Sequence, residues 1–356
     1  MRPTVYAAIS SHGFGHATRT AAVLEHLGQH LPEVRLILAT TSPDWLLRSY
    51  LNHPFEPRPV SLDVGVVQPD CLGVDREATR RAVLDLQEQS THLITQEAAF
   101  CRREGVQLVY GDMSPLAPAI ARTAGVPCLM AGNFGWDFIY ADWGPDFTPL
   151  IDWIRESYGQ CDRLLRLPFC EPMGAFPVQA DAGLTGGSPR HALEPLRSQL
   201  RLEAPPERTV LITFGGLGLQ QLPYARCSEH PDWTFLSFDA QAPELPNLRR
   251  VGRDRLRPVD VMPLCSRVIC KPGYGTFSEA GRLGVPLVAL TREEFAEAPL
   301  LMEALPRLVP HRIVDSSDFL SRPWDWLEQP LQPQTGTAIA PDGNDTVAEA
   351  IADLLS

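Results

Sequence analysis

Short, almost unbroken apolar runs alternate with longer amphipathic stretches along this chain, and that alternation constrains its fold more than any other feature. In the first half the runs lie at 4–9, 34–40 (VRLILAT), 106–112 (VQLVYGD), 127–133 (PCLMAGN) and 163–167. A strand covered by helices on both faces has no solvent side, so it loses the polar alternation of a half-exposed strand; runs of this kind predict a parallel sheet. Helical patterns over 16–30, 43–51, 76–104, 115–124 and 146–160 separate them, which predicts a doubly wound α/β domain. Between 168 and 208 the rhythm breaks, with seven prolines and the glycine-rich stretch 183–187. It then restarts with strands predicted at 209–214, 234–238, 267–271 and 286–290. A helix is predicted from about Thr276 to Arg282, and a last one over 345–355 capped by Asn344 or Asp345. The expectation is an α/β protein of two Rossmann-like domains, 1–176 and 209–356, joined by a linker over 177–208. The last helix would be able to pack back on the first domain.

Composition narrows the function classes. A chain of 356 residues suits two domains, each with its own core. Forty-three acidic against 31 basic residues give a formal charge of -12, which argues against a nucleic-acid or anionic-membrane binder. No stretch approaches the roughly 18 apolar residues that span a bilayer. The sequence runs from Met1 into the strand-like 4–9 without a charged-then-apolar leader. Eight dispersed cysteines form no C-x-x-C pair, so buried reduced thiols are expected, not a disulfide framework or zinc site. These readings predict a soluble cytoplasmic protein without stable membrane insertion.

In open α/β sheets ligands bind beyond the carboxyl ends of the strands, so chemistry is sought at strand-to-helix junctions. At the first junction, 10–19, Gly13 and Gly15 permit a tight turn and close ligand approach, and a helix starting near His16 offers free N–H groups. The third glycine of a dinucleotide fingerprint is absent there, which weakens a nicotinamide-dependent oxidoreductase reading. His16 is placed to serve as a general base or, more plainly, to bond locally. His12 contacts ligand or supports the loop. At the second junction Asp112 either orients the His16 imidazole or caps the helix beginning near Pro115. The loop 133–140 places Asn133, Trp136 and Asp137 beside aromatic residues, a mixture suited to a sugar ring or to ordinary packing. In the second half Gly215 and Gly216 end an apolar run and can bring backbone N–H groups to a diphosphate. Lys271, Gly273, Tyr274, Gly275 and Thr276 form a glycine turn into a helix, a setting for phosphate. Glu279, one turn in, can accept from a ribose diol or simply favour the helix start.

Together these stretches resemble the GT-B glycosyltransferase superfamily. More narrowly, residues 4 to about 305 resemble the N-terminal, glycosyltransferase-like region of plant L-arabinokinases and its stand-alone bacterial relatives. The likeness is carried by HGFGHATR (12–19), LDVGVVQPD (62–70) with Val74-Asp75, NFGWDFIYA (133–141), RLP (166–168) and GYGTFSEA (273–280). It implies two Rossmann-like domains facing across a cleft, an acceptor side in the first and a nucleoside-diphosphate sugar, commonly a uridine one, in the second. It also implies catalysis with no obligatory metal and no cofactor. His16 matches the base of inverting members, Asp112 its supporting acid, and Gly215, Gly216, Gly273, Gly275, Thr276 and Glu279 the donor loops. Glu297 falls where such enzymes contact donor-sugar hydroxyls. The chain departs from the plant pattern at Ala298, where a second acid stands, and at 217–220, so the donor sugar is left open. The sugar-kinase activity of the plant proteins belongs to a separate domain with a P-x-x-x-G-L-x-S-S phosphate loop that this sequence lacks.

GFGH-x-x-R (13–19) is also similar to the opening loop of the UDP-sugar hydrolase of pseudaminic acid synthesis, in which water replaces the acceptor alcohol. Three readings follow: an inverting, metal-independent glycosyltransferase acting on an unknown hydroxyl acceptor, a nucleotide-sugar hydrolase or epimerase, and a non-catalytic nucleotide-sugar-binding module.

Overall fold

A computed structural model describes residues 2–68, 73–215, 222–252 and 256–356. The chain forms two compact units. The first holds the chain up to Gly186, apart from a short excursion around Gly73, and takes back Ala340–Ser356; the second holds Gly187–Ile339.

In the first unit the strands are β1 (Thr4–Ile9), β2 (Arg35–Ala39), β3 (Phe55–Arg58), β4 (Leu108–Asp112), β5 (Cys128–Gly132), β6 (Arg163–Arg166) and β7 (Gln179–Asp181). They form one sheet in the order β3-β2-β1-β4-β5-β6-β7, and every ladder is parallel. All residues of β1, β4 and β5 are buried, as their unbroken apolar runs require. The helices are α1 (Gly15–His30), α2 (Asp44–Tyr50), α3 (Arg76–Arg103), α4 (Ala117–Ala124), α5 (Trp136–Ile139) and α6 (Thr148–Tyr158).

The second unit repeats the plan. Its strands β8 (Thr209–Thr213), β9 (Thr234–Ser237), β10 (Leu248–Arg250), β11 (Arg267–Cys270), β12 (Leu287–Leu290) and β13 (His311–Val314) pair in parallel in the order β10-β9-β8-β11-β12-β13. Its helices are α7 (Leu193–Gln199), α8 (Pro258–Val261), α9 (Tyr274–Leu283), α10 (Glu297–Leu308) and α11 (Ser316–Ser321). One face of this sheet packs Val210, Phe235, Ile269 and Val288 against the stacked rings of Phe319 and Trp324.

In both sheets the strand order reverses beside the first strand, between β1 and β4 and again between β8 and β11. In open α/β sheets the carboxyl edge at such a switch point is the usual ligand position.

The segment expected to be a bare linker is partly structured: β7 completes the first sheet, and α7 belongs to the second unit. The last helix, α12 (Gly343–Leu355), packs against α1. Asn344 does not cap it. Its buried amide bonds both backbone groups of Gly186, accepting from N–H at 3.0 Å and donating to C=O at 2.9 Å. Leu184 exchanges further backbone bonds with Ala340 and Gly343. The glycines at 183–186 let two backbones approach this closely; a Cβ on Gly343 would collide with Gly183.

Candidate active site

The site in the first unit is built at the β1/β4 switch point. Parallel pairing sets Ile9 opposite Asp112, so the loop leaving β1 and the end of β4 share one edge. Gly13 has φ +63 with open space around it, a turn that L side chains resist. It delivers His16 as the second residue of α1, 5% exposed.

His16 Nδ1 lies 2.8 Å from Asp112 Oδ1. A carboxylate can only accept, so Nδ1 carries the proton and Nε2 is the basic nitrogen of the neutral ring. The helix-cap alternative for Asp112 fails: α4 begins at Ala117, and both Asp112 oxygens are engaged elsewhere. Arg19 Nε donates to Oδ2 at 2.8 Å and Nη2 to Oδ1 at 2.5 Å, while the Thr20 hydroxyl donates to Oδ2 at 2.7 Å. Burial pushes the Asp112 carboxyl up, but the charges of Arg19 and His16 outweigh it and hold the group well below the usual range. Met113, the next residue, is held at φ 54. This left-handed conformation is costly for a non-glycine residue and persists only where surrounding contacts enforce it; the Tyr158 hydroxyl pins its carbonyl at 2.8 Å.

An aromatic cage surrounds the imidazole. Phe134 and Trp136 stand 5.7 and 5.8 Å from it between ring centres, and His12 stands 6.4 Å away. His12 Nδ1 accepts from the Val66 N–H at 3.1 Å, which fixes its loop against the segment after β3.

At the third junction two of the residues suited to a sugar ring are bound within the protein. Asn133 is fully buried and accepts from Arg19 Nη1 at 2.7 Å, so it braces the guanidinium. Asp137 accepts from Arg155 Nε of α6 at 3.1 Å. Burial raises its carboxyl despite that partner.

Two residues here were not singled out from the sequence. Arg19 stands three positions after His16 on the same helical face, a spacing that signals side-chain contact. Asp63, 4% exposed, follows β3 and accepts from the Trp136 indole N–H at 3.2 Å, the Ser11 N–H at 3.4 Å and the Ser10 hydroxyl. Burial raises its carboxyl against those donors and against the charge of a protonated His16.

In the second unit, Gly215 has φ +75 and free space beyond its Cα, at the end of β8. Gly216 and 217–220 lie outside the described residues. The helix expected at Thr276 begins two residues earlier. Gly273 is the N-cap of α9, and Tyr274, Gly275 and Thr276 are its first three residues, whose N–H groups have no intrahelical acceptor. Lys271 stands between β11 and this turn, half-buried. Glu279 is buried, and one of its oxygens accepts from the Gly187 N–H at 3.0 Å; Arg282 donates to the carbonyl of the same residue at 2.7 Å. Glu297 opens α10 and is 5% exposed. A pocket of about 450 Å³ at the carboxyl ends of β12 and β13 is lined by Thr291, Arg292, Glu293, Glu294, Asp315 and Ser316.

No family model matches the chain. It is 32% identical over 311 residues to L-arabinokinase of Arabidopsis thaliana, a match covering 83% of this chain and 29% of that protein. The chain thus spans under a third of the relative it matches. Among solved structures it resembles the calicheamicin glycosyltransferase CalG4, with TM-score 0.61 and 14% identity over 100% of this chain and 93% of that one. It also resembles a UDP-glucose: anthocyanidin 3-O-glucosyltransferase in complex with UDP, with TM-score 0.62 and 11% identity over 99% and 95%. The chain has the GT-B fold. In GT-B terms the His16–Asp112 pair belongs to the N-terminal Rossmann-like domain and the α9 turn to the C-terminal one. Among the described residues, no helix is long and apolar enough to cross a membrane.

Proposed function

We propose that the protein is an inverting glycosyltransferase that uses a nucleoside-diphosphate sugar, with uridine diphosphate sugars as the first donors to test. The observation that carries this reading is the 2.8 Å contact between His16 Nδ1 and Asp112 at the switch point of the first unit. It leaves Nε2 as a base held in one orientation. In the reaction Nε2 takes the proton of an acceptor hydroxyl, whose oxygen attacks the anomeric carbon. The bond from that carbon to the diphosphate breaks with inversion, and the nucleoside diphosphate departs with the electron pair. Charge on the leaving group is met by the N–H groups of Tyr274, Gly275 and Thr276, by Lys271 and by the turn at Gly215, a preorganised arrangement that does not require a cation. His12 and Trp136 line the acceptor side, and Glu279 and Glu297 serve the donor.

Two measurements test the reading. Calorimetric titration against a panel of nucleoside diphosphates identifies the base. With the donor known, His16→Ala is expected to lose about 10²–10⁴ in turnover while still binding the diphosphate. Undiminished turnover in that variant overturns the assignment. Stoichiometric release of free sugar without acceptor would make water the nucleophile and the protein a hydrolase.

A further inference from the structure

Asp112 is usually credited with two tasks in a pair of this kind, orienting the imidazole and balancing its charge once it is protonated. Here the second task is largely cancelled. The Arg19 guanidinium grips both Asp112 oxygens, and its Nη2 stands 3.1 Å from His16 Nδ1, against 2.8 Å for Asp112 Oδ1. Coulomb energy scales as 1/r, so two opposite charges at those distances leave only about a tenth of the carboxylate's pull on the ring. Nη2 can only donate, and Nδ1 already directs its proton to Asp112, so this contact is a bare cation against the ring nitrogen. A site that must charge its histidine therefore needs a second anion.

We propose that Asp63 is that anion: a positioning residue that balances the charge of protonated His16, while Asp112 fixes the orientation of the ring. Asp63 is bound by three donors from Ser10, Ser11 and Trp136, and the Trp136 ring is itself part of the His16 cage. Its segment is held rigidly. The Ser114 hydroxyl donates to the Leu62 carbonyl at 3.0 Å, the Tyr140 hydroxyl to the Gly65 carbonyl at 2.5 Å, and the Val66 N–H to His12. Three donors on a buried carboxylate favour its ionised form and oppose the burial that favours the neutral one. The charged and titratable groups around His16 are then Arg19 from α1, Asp112 from β4 and His12 from the loop before α1, with Asp63, from the segment after β3, reaching the cage through the Trp136 indole. Phe134 and Trp136 supply the apolar remainder. The charge of a protonated His16 favours the ionised Asp63 carboxyl against its burial.

The inference rests on His16 being the group that takes the proton, but its test does not require turnover. The chain has nine histidines, so ¹³C-histidine labelling lets the His16 resonance be identified by its loss in His16→Ala and titrated in the unliganded protein. In Asp63→Asn, nearly isosteric, the His16 midpoint is expected to fall by on the order of one pH unit. In Arg19→Gln, which unmasks Asp112, it is expected to rise by a similar amount. A midpoint unmoved in Asp63→Asn, or moving the same way in both variants, overturns the proposal. If Asp63→Asn does not fold, an unmoved or lowered midpoint in Arg19→Gln still overturns the proposal, because it removes the cancellation on which the argument depends. Loss of turnover in His16→Ala with no shift in Asp63→Asn would leave the proposed function standing and refute only this inference; full turnover in His16→Ala with the shift present would do the reverse.

Discussion

Replacing Arg19 with methionine, which keeps length and removes charge, separates what the guanidinium holds together. Arg19 is 4% exposed and bonds both oxygens of Asp112 and the side-chain carbonyl of Asn133. Without it the Asp112 carboxylate keeps the Thr20 hydroxyl and His16 as partners but loses its cation, and Asn133 Oδ1 loses the bond from Arg19 Nη1. Removing one member of a buried ion pair costs about 3–5 kcal/mol, because the remaining charge is stranded. The cost should depend on pH with a definite sign. In the wild type Asp112 is held below the usual carboxylate range; in the variant burial is opposed by His16 and the Thr20 hydroxyl without the guanidinium, and its pKa rises. A raised carboxyl favours the folded state at low pH and loses that advantage as pH rises, so the penalty should be largest near pH 8 and smaller near pH 5. Urea denaturation followed by near-ultraviolet circular dichroism reads it, with the two units fitted as separate transitions. A cycle with Asp112→Asn and the double variant isolates the pair; a coupling of about 2 kcal/mol or more is expected. A cost below about 1 kcal/mol at pH 8, or single effects that add within roughly 0.5 kcal/mol, would refute the reasoning.

Asn344→Ala removes both bonds to the buried backbone of Gly186 and should cost about 1–3 kcal/mol. Amide hydrogen exchange in α12 should accelerate accordingly, and unchanged protection there would show that the helix is anchored by its apolar face alone. The first unit should also have a stability maximum on the acid side of neutrality. Burial raises the carboxyls of Asp63, Asp137 and Glu171, so their contribution grows as pH falls toward the ordinary carboxylate range near about pH 4. The depressed Asp112 contributes fully above that range, and this is lost as pH falls through its lower folded value. Urea midpoints between pH 3 and 8 check this, and a monotonic fall from pH 8 downward would contradict it.

What the sequence revealed and what it hid follow one physical division. Runs such as TVYAAI, RLILA and RVIC announced β1, β2 and β11 because strands inside a doubly covered sheet must be apolar on both faces. The strands it did not announce are β3 (FEPR), β7 (QAD), β10 (LRR) and β13 (HRIV), and these are the four edges of the two sheets. An edge strand pairs on one side only and tolerates charge and proline, which also discourage pairing with another chain. It therefore carries no continuous apolar signal. The same division reaches the site. His16 and Asp112 stood at the ends of legible central strands, so the rule for ligand positions in open sheets found them. Asp63 follows β3, an edge strand without a signal, and so had no strand end to mark it. Arg19 closed the GFGH-x-x-R motif without an assigned role until the fold placed Asp112 and Asn133 against it. The visible half of the site was the half attached to the sheet's centre. The half that sets its charge balance entered through an edge and through a helix position three residues from His16, where only the three-dimensional arrangement distinguishes a buried ion pair from a solvated one.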